Sequence, residues 1–171
     1  MSIFDVQKPN PMPELLPSQT ILPAAAICQI ESNSLTELNV PSLVLHKNEK
    51  CRFVDKCYRI NEAKMTRNIR KSSGMSMPSL FFKGVRYHSG SSYTSPVTEV
   101  QMQYIPGYLY ITDRRILFTA KQCSMDKTLK SLSNYIPYSN AIGMQFGSMV
   151  VNFILPRPDL ASKTLQIVTR I

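Results

Sequence analysis

The stretch Gly107-Tyr108-Leu109-Tyr110-Ile111-Thr112-Asp113-Arg114-Arg115-Ile116-Leu117-Phe118 decides the fold class. Leu109 and Ile111 fall on one side of an extended segment. Ile116, Phe118 and Ala120 alternate with Arg115, Leu117 and Thr119 in the next. Successive side chains of a strand point to opposite faces, so period-two placement marks two strands with a buried face. Asp113-Arg114 between them reads as a turn, set there by backbone geometry rather than by a ligand.

The same period extends outward. Upstream, Val100, Met102 and Tyr104 alternate with Glu99, Gln101 and Gln103, and Pro106-Gly107 predicts a turn before Leu109. Met65 and Met102 are expected in the core. Downstream, strands are expected over Met125–Leu129, Leu132–Tyr138 and Ile142–Phe146, then a hairpin turn at Gly147-Ser148 and a last strand over Met149–Leu155. After Pro156 and Pro158 the period changes. Asp159 is placed to cap a helix whose stripe is Leu160, Thr164, Ile167, Val168 and Ile171, with Leu165 at its edge. The expected fold is mainly β: an antiparallel sandwich or partly open barrel of about seven strands, sealed by a C-terminal α-helix.

The N-terminal region reads differently. Pro9, Pro11, Pro13, Pro17 and Pro23 rule out a regular helix or central strand, so residues 1–23 are expected to form an extended arm whose removal leaves the core folded. Ser34 with Glu37 makes a capping box for a short helix before Pro41, with Leu35 and Leu38 facing inward. The chain therefore divides into a Pro-rich arm and short helix over 1–46 and a β domain over 47–171.

The chain has 171 residues and a net charge of +9, unevenly spread. Residues 1–46 carry one basic and four acidic residues, a net of −3. Residues 47–86 carry eleven basic and three acidic residues, a net of +8. That imbalance points to a polyanionic partner: nucleic acid, nucleoprotein or an anionic membrane surface. Lys64, Arg67, Arg70 and Lys71 precede a Ser-rich stretch, Ser72 to Ser79, expected to be a flexible loop. Lys83 and Arg86 are expected on the returning strand. Such cations can contact phosphates, and Tyr87 and Tyr93 can stack on bases, with Met75 and Met77 as loop contacts.

Catalytic constellations are missing. There is no Gly-x-Ser-x-Gly, no Walker loop and no His-Glu-x-x-His, and the two histidines, His46 and His88, have no nucleophile motif beside them. A binding role is therefore expected, with no enzyme activity, no cofactor and no small-molecule substrate. Cys28, Cys51, Cys57 and Cys123 show no Cys-x-x-Cys spacing, so they read as reduced, small hydrophobes and no metal site is expected. No apolar run is long enough to span a bilayer, and Ile21 to Ile30, broken by Pro23, lacks a basic leader, so a cytoplasmic protein is expected.

The 107–118 stretch resembles the hairpin of GRAM-like and bacterial PH-like domains, in which Gly-x-Leu-Tyr-(Leu/Ile)-Thr meets a polar turn and then Arg-(Leu/Ile)-(Ile/Leu)-Phe. Leu132 to Gly143, the Arg67–Lys71 segment and Lys83–Tyr87 are similar to uncharacterised bacterial members of that group, some carried on mobile elements. The resemblance covers roughly residues 47–155 and implies a PH-like sandwich or open barrel that binds lipids, peptides or proteins. It carries no argument for zinc, because a Pro-rich arm stands where some relatives have a cysteine-rich ribbon. Together with the basic block it implies a non-catalytic module that docks on nucleic acid or a nucleoprotein. One concrete form is a mobile-element-encoded inhibitor of a nucleic-acid-guided defence complex. The alternative is a GRAM-type or PH-type adaptor for an anionic membrane or a partner protein.

Overall fold

The computed structural model describes residues 19–170 apart from 79–85, and the side chains at 63, 65, 71–78 and 86–91 lie outside the described ones. Two of the three short turns read from the sequence are present. Asp113-Arg114 joins a strand ending at Thr112 to one beginning at Arg115, and Gly147-Ser148 joins strands ending at Phe146 and beginning at Met149. Gly147 has φ +61°, the left-handed conformation that a two-residue hairpin demands.

The described residues form seven strands: β1 Cys51–Pro78, β2 Arg86–Thr112, β3 Arg115–Thr119, β4 Ser124–Thr128, β5 Leu132–Pro137, β6 Ala141–Phe146 and β7 Met149–Ile154. A 3-10 turn, Leu129–Ser131, links β4 to β5. Among the same residues there are two helices, α1 Ala24–Glu31 and α2 Pro158–Val168. The strands form one sheet in the order β4-β3-β2-β1-β7-β6-β5, open at β4 and β5 and not closed into a barrel. Pairing is antiparallel, with Ile111 opposite Ile116 in β2–β3, Tyr58 opposite Ile154 in β1–β7, and Phe146 opposite Met149 in β6–β7. The mainly β, antiparallel, seven-stranded class with a C-terminal helix is thus as expected.

By Cα packing the chain splits into two units, Met1–Asn61 with Tyr104–Ile171, and Glu62–Gln103, with β1 and β2 running through both. In the first unit the sheet is strongly curled. Phe118 of β3 and Phe153 of β7 lie with ring centroids 5.4 Å apart. Three strand steps separate them, which a flat sheet would spread over ~14 Å. The concave face holds the core: Phe53, Leu109, Ile111, Ile116, Phe118, Ile142, Met144 and Phe153 are fully buried. Helix α2 adds Leu160, Ala161, Leu165 and Val168 to it. The outer face has its own small cluster, in which Leu38, Val40, Leu43 and Val54 cover Cys51, Tyr110 and Leu117. That cover explains why Leu109-Tyr110-Ile111 and Ile116-Leu117-Phe118 are unbroken apolar runs: each strand there is buried on both faces.

Several expectations are corrected. Pro106-Gly107 does not turn the chain, because β2 continues through it to Thr112. Glycine is required there for closeness: an added Cβ would overlap the Thr119 carbonyl and lie 2.6 Å from the Phe118 ring. Val100 and Met102 are half exposed rather than core, at 55% and 50%, since they belong to the Glu62–Gln103 unit. Met65 lies outside the described side chains. Ser72–Pro78 is not a loop but the far part of β1.

No helix forms at Ser34; the helix of this region is α1, which starts ten residues earlier, directly after the expected 1–23 arm. Its Ala-rich start has the best intrinsic helix propensity, while Pro41 leaves little room for a helix begun at Ser34. Asn33, at φ +58°, ends the helical path, and Leu38 instead bridges to Cys51 as extended chain. Helix α2 begins at Pro158 after Arg157, so Asp159 lies in its first turn and pairs with Arg157 at 2.7 Å rather than capping it. Its stripe runs through Leu165, fully buried, whereas Ile167 is only half buried.

Candidate polyanion-binding ribbon

Beyond Ile60 no described residue of β1 pairs with β7, and before Tyr108 none of β2 pairs with β3. Glu62–Gln103 is therefore a two-stranded ribbon among the described residues. Its β1 part, Glu62–Pro78, spans roughly 55 Å at ~3.3 Å per residue, against an ordinary strand of five or six residues. Thr66 of β1 and Thr98 of β2 approach across the ribbon at 3.4 Å.

Lys64, Arg67 and Arg70 are exposed on this ribbon, and among the described residues none of them forms an ion pair. They recur every third residue, so strand alternation puts Lys64 and Arg70 on one face and Arg67 on the other. The sequence reading had grouped them as a single patch; the strand divides it. Lys71 continues β1 and Arg86 and Tyr87 open β2, but their side chains, like those of Met75 and Met77, lie outside the described ones. Lys83 lies outside the described residues altogether. Tyr93 is exposed at 58% on the returning strand.

Other cations are used up locally. Lys50 binds Glu37 at 2.7 Å, and Arg52 donates to the Thr36 carbonyl at 2.6 Å with Asp113 3.8 Å away. Arg157 joins Asp159 to Glu31. Lys56, Arg114, Lys121, Lys127 and Lys130 form no ion pair among the described residues; Arg114, Lys127 and Lys130 fall together where β3 begins and β4 ends, the Arg114 carbonyl accepting the Leu129 amide at 2.8 Å.

Two polar sites escaped the sequence reading. The first centres on Glu49, whose side chain is wholly buried. Its Oε1 accepts from Arg115 Nε at 2.8 Å and Thr112 Oγ1 at 2.7 Å, and its Oε2 accepts the His46 amide at 2.7 Å. Burial alone would raise this carboxyl; the Arg115 guanidinium, the His46 amide and the Thr112 hydroxyl overcome it and hold its pKa at about 2. Arg115 also donates to Asp126 and to the Val44 carbonyl, each at 2.7 Å. Every partner is saturated, so the cluster ties the 44–49 turn to β2, β3 and β4 and offers no reactive group.

The second is Asp55, inward-facing on β1 between Phe53 and Cys57 and fully buried. It accepts from Thr20 Oγ1 at 2.7 Å, from the Ile21 amide at 3.0 Å and from its neighbour Lys56 at 2.9 Å. Burial pushes its carboxyl above the ordinary value against those donors. An acidic residue at an inward strand position was the signal that could have revealed it. The latch docks residues 20–22, with Leu22 buried, so the last part of the expected arm belongs to the fold.

The four cysteines are unpaired, and burial pushes the Cys51 thiol up to about 11 and the Cys57 thiol higher still, which keeps both protonated and inert. Among the described residues no three His, Cys, Asp or Glu side chains group as metal ligands. No helix of the described residues is long and apolar enough to cross a membrane. No family model, curated protein or solved structure matches the chain.

Proposed function

We propose that the protein is a non-catalytic binding module that docks on nucleic acid or a nucleoprotein through the Glu62–Gln103 ribbon. The observation that carries this reading is the regular, exposed series Lys64, Arg67 and Arg70, unpaired among the described residues, on a ribbon none of whose described side chains belongs to a buried core. An isolated two-stranded ribbon is marginal in water, so its length calls for a partner that supplies contacts. Strand addition to its edge suits it poorly, because Pro96 removes an amide donor from β2. A polyanion needs only side-chain charge. The open antiparallel sheet followed by α2 supports the further proposal of kinship with PH-like and GRAM-like domains, a scaffold used for binding.

The test is replacement of Arg67, Arg70 and Lys71 together by Ala, with binding to labelled nucleic acid followed by anisotropy over a salt series. Affinity is expected to fall, and the log–log salt slope to flatten by ~0.7–0.9 per lost contact. Arg67 and Arg70 are exposed and carry little stability, so the melting temperature should hold. Binding that persists unchanged in the triple variant refutes the reading.

A further inference from the structure

The division of the cations between two faces says what shape of polyanion the ribbon fits. A flat anionic surface, such as a bilayer, meets one face of a ribbon and leaves the other in water. Lys64 and Arg70 would then bind while Arg67 pointed away, or the reverse. A partner that engages both faces must enclose the ribbon between two charged walls. A β layer with its side chains is ~10 Å thick, as the spacing of packed sheets shows. The major groove of B-form DNA is about 12 Å wide, with a phosphate backbone along each wall, and admits a two-stranded ribbon. The minor groove, about 6 Å wide, does not, and the major groove of A-form RNA is too narrow for side chains to enter.

Resting on the polyanion reading above, we infer that the ribbon inserts into the major groove of duplex DNA through its segments Glu62–Arg70 and Ser92–Gln103, with Lys64 and Arg70 on the phosphates of one strand and Arg67 on those of the other. Lys64 and Arg70 lie six residues apart, roughly 20 Å along the strand, which corresponds to about six base pairs at 3.4 Å each. Asn68 shares the face of Lys64 and Arg70, and the exposed amides of Asn68, Gln101 and Gln103 can donate to phosphate oxygens along the walls beside the cations.

The experiment uses the full chain and four labelled probes: a DNA duplex of about two helical turns, the RNA duplex and the DNA single strand of the same sequence, and the DNA duplex with bulky C5 substituents on its pyrimidines. C5 projects into the major groove, so that bulk blocks it without altering the phosphates. The plain DNA duplex is expected to bind at least about tenfold tighter than the other three. Arg67→Ala alone, and Lys64→Ala with Arg70→Ala, should each weaken binding and flatten the salt slope by ~0.9 per cation removed. Equal binding to the blocked duplex or to RNA, or loss confined to the variants of one face, overturns groove insertion while leaving the polyanion reading in place. Binding to anionic vesicles alone, or to no polyanion at all, overturns both.

Discussion

Glu49→Gln tests whether the buried carboxylate–guanidinium pair holds the 44–49 turn to the sheet. The amide keeps the size of the side chain and its single oxygen can still accept from Thr112, but its NH2 cannot accept from the His46 amide, so the charge and one hydrogen bond are lost. In the folded protein the carboxyl is lowered from 4.5 to about 2, and at ~1.36 kcal/mol per unit that shift is worth about 3 kcal/mol. Removing one partner of a buried pair generally costs about 3–5 kcal/mol. Arg115 retains Asp126 at 2.7 Å, which keeps the loss near the lower end.

The sign follows from a folded pKa below the unfolded one. The stabilisation is complete above ~4.5 and disappears as pH falls through about 2. Urea unfolding followed by circular dichroism should therefore place the variant about 3 kcal/mol below wild type at pH 7 and only about 1.4 kcal/mol below it at pH 3. Asp55 works in the opposite sense, because its raised pKa makes the folded state the better proton acceptor, but it is present in both proteins and cancels from the difference. A deficit that stays constant from pH 7 to 3, or one under ~1 kcal/mol at neutral pH, refutes the assignment.

Two further substitutions probe the rest of the first unit. Leu165→Ala empties a fully buried position on α2 and should cost ~2–5 kcal/mol by thermal or urea unfolding, well above Ile167→Ala at the half-buried edge; equal costs would mean the helix is rotated from the orientation described. Thr20→Val leaves one Asp55 oxygen without its hydroxyl donor and should lower stability by ~1–3 kcal/mol at pH 7; an unchanged midpoint would mean that residues 20–22 are not latched to β1 in solution.

The strands from Leu109 onward were legible because each has a short turn with its own chemistry and an alternation that local sequence records. Gly147-Ser148 is a turn for the reason the sequence suggested, a positive φ. Gly107 is not, since its small size serves a contact with β3, and nothing local distinguishes the two uses of glycine. The long ribbon was hidden for a related reason. Its polar, Ser-rich middle has the composition of a loop, and none of its described side chains is buried, so they form no core-facing stripe for the sequence to advertise. Leu165 was misplaced because α2 buries a wide stripe that includes Ala161 and Thr164, so its centre lies one position away from the one traced through the large apolar residues alone.

Burial also changes what the net charge means. Of the three acidic residues in 47–86, Glu49 is buried against Arg115 and Asp55 is buried with its ionisation opposed, so Glu62 is the only exposed one. The solvent-facing charge of this block is more one-sided than the count suggests. Lys64, Arg67 and Arg70 are about 10 Å apart along β1, slightly more than the Debye length of about 8 Å at physiological salt. Their mutual repulsion is therefore largely screened, and holding them on a ribbon costs the fold little. A nucleic acid duplex carries one charge per ~1.7 Å of axis, so it can place a phosphate against each cation regardless of that spacing. The array is sparse enough to be stable alone and dense enough to be read by a duplex, which is the physical reason to look for its partner among polyanions rather than among single acidic side chains.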